Sequence, residues 1–84
     1  MPGNLYTSAY AVFIETLRAE RKLAGLTQAE LAERLHQPQS FVSKSERRER
    51  RIDVIEFIQI AEALGWEPEQ LLERVRAALK QAQV

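Results

Sequence analysis

The feature that most constrains the fold is a helix start at Thr27 that is followed closely by a proline. Thr27 can accept a hydrogen bond as an N-cap, and Glu30 completes the capping-box pattern. Pro38 then forces Gln37 towards an extended backbone and suits the first position of a new helix. Because of this break, we predict two short helices, over residues 28–35 and 38–47, joined by a sharp turn at His36.

Similar signals predict helices on both sides of this pair, and no segment alternates like a strand. Apolar residues at helical spacing predict a first helix from about residue 8 to residue 23, ended by Gly25. Asp53 and Glu56 repeat the pattern of a cap followed by an acid, so a fourth helix is expected to begin there. We expect it to end at Leu64, before Gly65.

A fifth helix is predicted to begin at Pro68, because proline is favoured at the first helical position. Its expected buried face consists of apolar residues at helical spacing: Leu72, Val75, Leu79 and Ala82. We therefore predict an all-α fold of five helices, with residues 1–84 in a single domain. The core is expected within residues 8–72, and the fifth helix extends to about residue 82.

The composition argues against several classes of function. The chain has no cysteine and one histidine, so it offers no thiol nucleophile and no Cys- or His-rich metal site. There is no Ser/His/Asp set in a supporting context and no glycine-rich phosphate loop. We expect no enzymatic activity, cofactor, metal or small-molecule ligand. With no secretory signal and no membrane-spanning segment in the sequence, we expect a cytoplasmic protein.

The charges are balanced overall but unevenly distributed. The 12 basic and 12 acidic residues give a net charge of zero. Residues 39–51 nevertheless carry five basic side chains against two acidic ones. The five are Lys44, Arg47, Arg48, Arg50 and Arg51. Such local asymmetry is typical of a nucleic-acid-binding face on an otherwise neutral domain.

The third predicted helix has the chemistry of a major-groove reader. Val42 is its apolar anchor, whereas its outer face carries hydrogen-bonding side chains and no acid: Gln39, Ser40, Ser43, Lys44 and Arg47. Glutamine can bond adenine with two hydrogen bonds, lysine can donate to guanine, and serine can donate or accept. We therefore predict that residues 28–47 form a helix-turn-helix that binds duplex DNA.

Three runs of residues follow one another in a specific order: Leu26-Thr27-Gln28-Ala29-Glu30-Leu31-Ala32-Glu33-Arg34-Leu35, then Pro38-Gln39-Ser40-Phe41-Val42-Ser43-Lys44 with Glu46, then Ile60-Ala61-Glu62-Ala63-Leu64-Gly65. Over residues 17–72 this order resembles the lambda-repressor/Cro-like family of helix-turn-helix regulators, also called the XRE family. The resemblance implies a five-helix DNA-binding domain with its helix-turn-helix at the second and third helices.

The resemblance also implies roles for single residues. Gln28 looks like the glutamine that opens the second helix and contacts the DNA backbone. Gln39, Ser40 and Lys44 stand where the family reads bases, and Ser43 is placed to touch phosphate or base. Phe41 stands where related sequences often have an aromatic residue. Two interpretations of Phe41 remain open, contact with a thymine methyl group and packing on the domain.

The arginines that follow the third helix are predicted to contact phosphates: Arg47, Arg48, Arg50 and Arg51. The alternative is a solvated run of charges with no ligand. Phosphate contacts would make DNA binding strongly dependent on salt, because each neutralised phosphate releases counterions.

One ion pair is predicted inside the domain. Arg21 lies on the apolar stripe of the first helix, where a charge needs a partner. Glu46 follows Val42 by one turn on the inner side of the third helix. We predict that Arg21 and Glu46 pair across the two helices, and the residues usual in the family at these places agree.

The sequence departs from the family pattern near the helix-turn-helix. His36 and Arg48 stand where the family favours glycine, and Gln37 and Ser45 stand where it favours an apolar residue. The turn is therefore where this sequence differs most from the family pattern.

We expect the protein to act as a homodimer on two operator half-sites, because one recognition helix reads only a few base pairs. Apolar residues in excess on the fourth helix, together with Val75 and Leu79, suggest the subunit interface. Three roles stay open: a phage-type repressor, a restriction–modification controller, and the antitoxin of a toxin pair. The alternative class is a protein-interaction module with the same fold and little or no DNA binding.

Overall fold

The computed structural model describes residues 2–84, with side chains described from Ser8 onward. Five helices are formed, and no strand occurs in the described part of the chain. They are α1 (Pro2–Leu23), α2 (Gln28–Arg34), α3 (Gln39–Glu46), α4 (Val54–Ala63) and α5 (Pro68–Ala82). The predicted all-α fold of five helices is confirmed. None of these helices is long and apolar enough to cross a lipid bilayer.

The predicted caps begin two of the helices. The Thr27 hydroxyl accepts from the Glu30 N–H at 3.1 Å, and the Glu30 carboxylate accepts from the Thr27 N–H at 2.8 Å. Asp53 and Glu56 make the same reciprocal pair at 2.8 and 3.1 Å. Each box satisfies two backbone donors that a helix start otherwise leaves without partners.

Two helix boundaries differ from the expected ones. α1 begins at Pro2 instead of near Ser8, in keeping with the preference of proline for the first helical turn. Pro38 is the N-cap of α3 and not its first residue, because its extended ψ of 155° keeps it outside the helix. Pro68 does stand at the start of α5, as predicted.

The turn of the helix-turn-helix forms without glycine. His36 has φ 57°, and Arg48, just after α3, has φ 63°. In both cases the following N–H reaches back into the helix, from Gln37 to the Ala32 carbonyl at 2.9 Å and from Glu49 to the Lys44 carbonyl at 2.8 Å. This is the Schellman ending, which requires one left-handed residue. His36 and Arg48 therefore adopt the left-handed backbone conformation, which is less favourable for a residue with a Cβ than for glycine.

The core consists of two apolar clusters. One joins α1, α4 and α5 through Leu17, Phe57, Ala61, Leu71 and Val75. The other lies beneath the helix-turn-helix and contains Leu31, Ala32 and Val42. Ala32 is 2% exposed, and its small side chain lets α3 cross close to α2.

The predicted buried face of α5 is wrong by one residue at its start. Leu71 is fully buried, whereas Leu72 is 57% exposed and Ala82 is exposed. Leu71 and Val75 are one turn apart, so they share the face that packs on α1 and α4, and Leu79 packs partly against the same cluster. Val75 is thus buried in the core and is not available to a subunit interface, whereas Leu79 is only partly buried.

A polar contact that the sequence did not reveal ties α1 to α5. The Glu20 side chain is 8% exposed and accepts hydrogen bonds from Trp66 Nε1 at 3.3 Å and Arg74 Nε at 2.6 Å. Arg74 also lies over the Trp66 ring, 5.5 Å from its centroid. These bonds compensate the burial of the carboxylate.

Candidate nucleic-acid interface

The recognition helix α3 has one buried face and one open face. Val42 and Ser45 are buried, and the Ser45 hydroxyl donates to the Phe41 carbonyl at 2.7 Å, which satisfies a polar group in an apolar position. On the other side Gln39, Ser40 and Lys44 are exposed. The structure thus brings the predicted base-reading residues together on one surface of α3.

The neighbours of these residues extend the same surface. Ser43 is half-buried, and its hydroxyl donates to the Ser40 carbonyl at 3.4 Å. Arg47 closes α3 as its C-cap and is exposed. The result is a short polar ridge on α3 that no acidic side chain of α3 interrupts, since Glu46 turns inward.

Glu46 binds three helices to one another. Its carboxylate accepts from Arg21 Nε at 2.7 Å and Nη2 at 3.0 Å, and from Gln28 Nε2 at 2.9 Å. Arg21 also donates through Nη1 to the Leu26 carbonyl at 2.7 Å. The side chains of Arg21 and Glu46 are 8% and 11% exposed. This arrangement, here called the Glu46 cluster (Arg21, Gln28 and Glu46), fixes α3 against α1 and α2.

The surroundings of Glu46 shift its ionisation. Burial alone would raise the pKa of its carboxyl group, but hydrogen bonds from Arg21 and Gln28 outweigh burial and hold the pKa below its ordinary value of 4.5. The charges of Arg21 and Arg18 act in the same direction. Glu46 therefore remains ionised at neutral pH despite its burial.

The lowered pKa predicts how acid weakens the fold. The ionised Glu46 carboxylate stabilises the native state fully above about pH 4.5, and this contribution is lost as the pH falls through the lowered native value. The gap in unfolding free energy between the wild type and Glu46→Gln should therefore narrow between pH 7 and about pH 3. Urea unfolding of both proteins at the two pH values measures it, and a constant gap would contradict the assignment.

The four arginines that were predicted to contact phosphate differ in their contacts and exposure. Arg47 pairs with Glu49, at 2.9 and 3.2 Å, and Arg51 lies 5.0 Å from the centre of the Tyr10 ring. Arg48 is exposed at its left-handed position. Arg50 is only half-exposed.

Arg50 contacts two side chains from different helices. Its guanidinium donates from Nη1 and Nη2 to the Glu56 carboxylate at 3.1 and 2.9 Å. It also lies over the ring of Phe41, 4.4 Å from the centroid. Phe41 itself is half-buried and packs partly against the cluster beneath the helix-turn-helix. The packing interpretation of Phe41 therefore has direct support in the structure. The contacts of Arg50 could not be predicted from the sequence.

Comparison with known proteins identifies the family to which this helix-turn-helix domain belongs. A family model described as helix-turn-helix matches residues 17–72, which is most of the chain. The chain belongs to the XRE-family helix-turn-helix proteins. These are DNA-binding transcription regulators and not enzymes.

A solved structure agrees with this assignment. The XRE-family protein described here is similar to an XRE-family like protein from Pseudomonas syringae pv. tomato str. DC3000, with 43% sequence identity and a TM-score of 0.83. The similarity covers 90% of this chain and 93% of that one, so it extends well beyond the helix-turn-helix. No curated protein matches the sequence.

Proposed function

We propose that this XRE-family protein is a sequence-specific transcription regulator that binds operator DNA as a homodimer in the cytoplasm. The observation that carries the proposal is the open face of α3. Gln39, Ser40 and Lys44 are exposed side by side, while the opposite face of the same helix is fixed by Val42 and the Glu46 cluster. A reading face needs both free side chains and a rigid support.

Base reading is assigned to the exposed face of α3. Gln39 has the donor and acceptor that match adenine, and Lys44 donates to the acceptors of guanine. Ser40 lies between them and either donates or accepts. Because these residues stand on a helix narrow enough to enter the major groove, their contacts set the sequence preference.

Phosphate contacts are assigned to the residues around that face. Arg47, Arg48 and Arg51 follow α3 and are exposed, and Ser43 lies at its margin. Gln28 donates one amide hydrogen to Glu46, and an amide carries a second donor that can reach a phosphate oxygen. Such contacts position the protein on the duplex and make binding dependent on salt.

The homodimer is supported by an apolar patch on the far side of the core. Val54 is 68% exposed and Ile55 is 60% exposed at the start of α4, and Leu72 on α5 is 57% exposed. Ile58 is 37% exposed and lines a groove together with Val54, Leu72, Phe57 and Pro68. A second copy of the chain would cover this patch on both subunits through a two-fold interface.

A charge in this patch should separate the subunits. Ile55→Lys is expected to weaken dimerisation about a hundredfold, because the two-fold axis places two lysines where two apolar side chains were buried. Sedimentation analysis over a range of protein concentrations measures the change. Leu23→Lys is the matched control, since Leu23 is also a strongly exposed apolar residue but lies at the end of α1. Equal dimerisation of the two variants would exclude this interface.

Titration with mixed-sequence duplex DNA tests the proposed function against the alternative of a protein-interaction module. If about four phosphates are neutralised, affinity should fall about a hundredfold between 50 and 200 mM salt. Absence of even weak binding at the lower salt concentration would favour the interaction module, which includes an antitoxin that acts only on its partner. Among regulators, phage-type repressors, restriction–modification controllers and DNA-binding antitoxins all fit this geometry.

A further inference from the structure

We propose that Arg50 is a positioning residue for the recognition helix and not one of its phosphate ligands. The inference rests on the proposed function and departs from the role that the sequence predicted for Arg50. It is based on three side chains from different parts of the chain, Phe41 of α3, Arg50 of the connector and Glu56 of α4, which are here called the Arg50 clasp.

The clasp engages one hydrogen-bonding edge and one flat face of the guanidinium. The hydrogen-bonding edge faces Glu56, with two donor–acceptor distances of 3.1 and 2.9 Å. The flat face covers Phe41 at 4.4 Å from the ring centroid. Side-chain exposures of 34% for Arg50 and 21% for Glu56 show that the pair is partly withdrawn from water. A phosphate could bind this edge of the guanidinium only by displacing Glu56.

The clasp continues into the start of α4. Glu56 accepts from Arg50 and also from the Asp53 N–H at 3.1 Å, as part of the capping box. Arg50 is thereby attached to a fixed point of the fold. The geometry requires a planar side chain that can form two parallel hydrogen bonds and stack at once, which arginine provides and lysine does not.

The clasp acts on the first turn of α3. Phe41 directly follows Gln39 and Ser40, and its ring lies between the cluster beneath the helix-turn-helix and Arg50. A ring held between this cluster and Arg50 restricts the rotation of this turn, and the side chains next to it then point in one direction. Loss of the clasp is therefore expected to reduce discrimination between DNA sequences more than the attraction to DNA in general.

Two variants separate positioning from phosphate binding. Arg50→Lys keeps the charge and removes the stacking and the double hydrogen bond. Glu56→Gln removes the partner of Arg50, yet glutamine is still suited to a capping box. If Arg50 acted only through its charge, loss of the Glu56 carboxylate would strengthen DNA binding. Positioning predicts the opposite result for the preferred duplex.

The preferred duplex is the sequence that the wild type selects from a random pool. The quantity to measure is the affinity for this duplex divided by the affinity for mixed-sequence duplex. Both variants should lower this ratio about tenfold, which is the usual effect of one mismatched base pair. Arg76→Lys and Glu73→Gln, at exposed positions on α5, are the matched controls and should leave it unchanged. Melting curves establish that each variant is folded at the temperature of the binding assay.

A double-mutant test shows whether Arg50 acts on α3 through the Phe41 ring. In a Phe41→Leu background, Arg50→Lys should change the ratio by less than about twofold, because the ring through which Arg50 acts is absent. An unchanged ratio in Arg50→Lys, or a stronger preference in Glu56→Gln, would overturn the proposal even if the variants melt earlier. A wild type that prefers no sequence would instead overturn the proposed function, and this inference with it.

Discussion

Replacing Lys44 by glutamate is expected to abolish sequence-specific DNA binding and leave the fold intact. Lys44 is exposed on the open face of α3, so its removal costs no core packing. The substitution exchanges a donor for an acceptor and places a negative charge among phosphates. One lost base contact costs roughly 1–3 kcal/mol, and repulsion adds to it, so affinity should fall at least about a hundredfold.

Lys80→Glu is the matched control for this prediction. It makes the same change of charge at an exposed position near the end of α5, away from the helix-turn-helix. Fluorescence anisotropy with the preferred duplex measures the affinities, and circular dichroism checks that both variants are folded. If the two variants bound DNA equally well, α3 could not be the reading helix.

Glu46→Gln is expected to cause the largest loss of stability. The carboxylate is 11% exposed and accepts three hydrogen bonds, two of them from Arg21. Removing one charge of a buried pair leaves the other without compensation, at a cost of about 3 kcal/mol. In a domain of this size the melting temperature should fall by more than about 10 °C.

Two further variants test why Glu46→Gln lowers the stability of the fold. Arg21→Met combined with Glu46→Leu removes both charges, and most of the lost stability should return. Glu49→Gln breaks the exposed pair with Arg47 and should leave melting nearly unchanged, because exposed ion pairs contribute little. If Glu46→Gln melted like the wild type, the Glu46 cluster would have no structural role.

The parts of the fold that could be predicted from the sequence are those with local causes. The capping boxes at Thr27 and Asp53 depend on residues three positions apart, so they were visible in the sequence. A sharp turn at His36 was also expected, because Pro38 breaks the helical pattern there, whereas the left-handed backbone of His36 was not predicted. These local signals placed all five helices to within a few residues, apart from the start of α1.

The parts that could not be predicted depend on how the helices pack. Leu71 and Leu72 are adjacent leucines, and the positions of α1 and α4 decide which of them is buried. Glu20 gains its partners from Trp66 and Arg74, far along the chain, so its sequence neighbours carry no sign of them.

The same division applies to the candidate site. The open face of α3 follows from helical spacing within one short segment, and it was predicted. The arginines lie in an irregular connector, where no periodicity gives the direction of a side chain. Arg50 therefore looked like its neighbours in sequence, although the structure joins it to Phe41 and Glu56.

The most direct test of the proposed function is selection of bound sequences from random duplex DNA by the wild-type protein, with Lys44→Glu in parallel. A homodimer that reads DNA with α3 should enrich an inverted repeat whose half-sites are about 10 base pairs apart, centre to centre. Lys44→Glu should not enrich it. Recovery of unenriched DNA by the wild type, or of the same repeat by Lys44→Glu, would contradict the proposal.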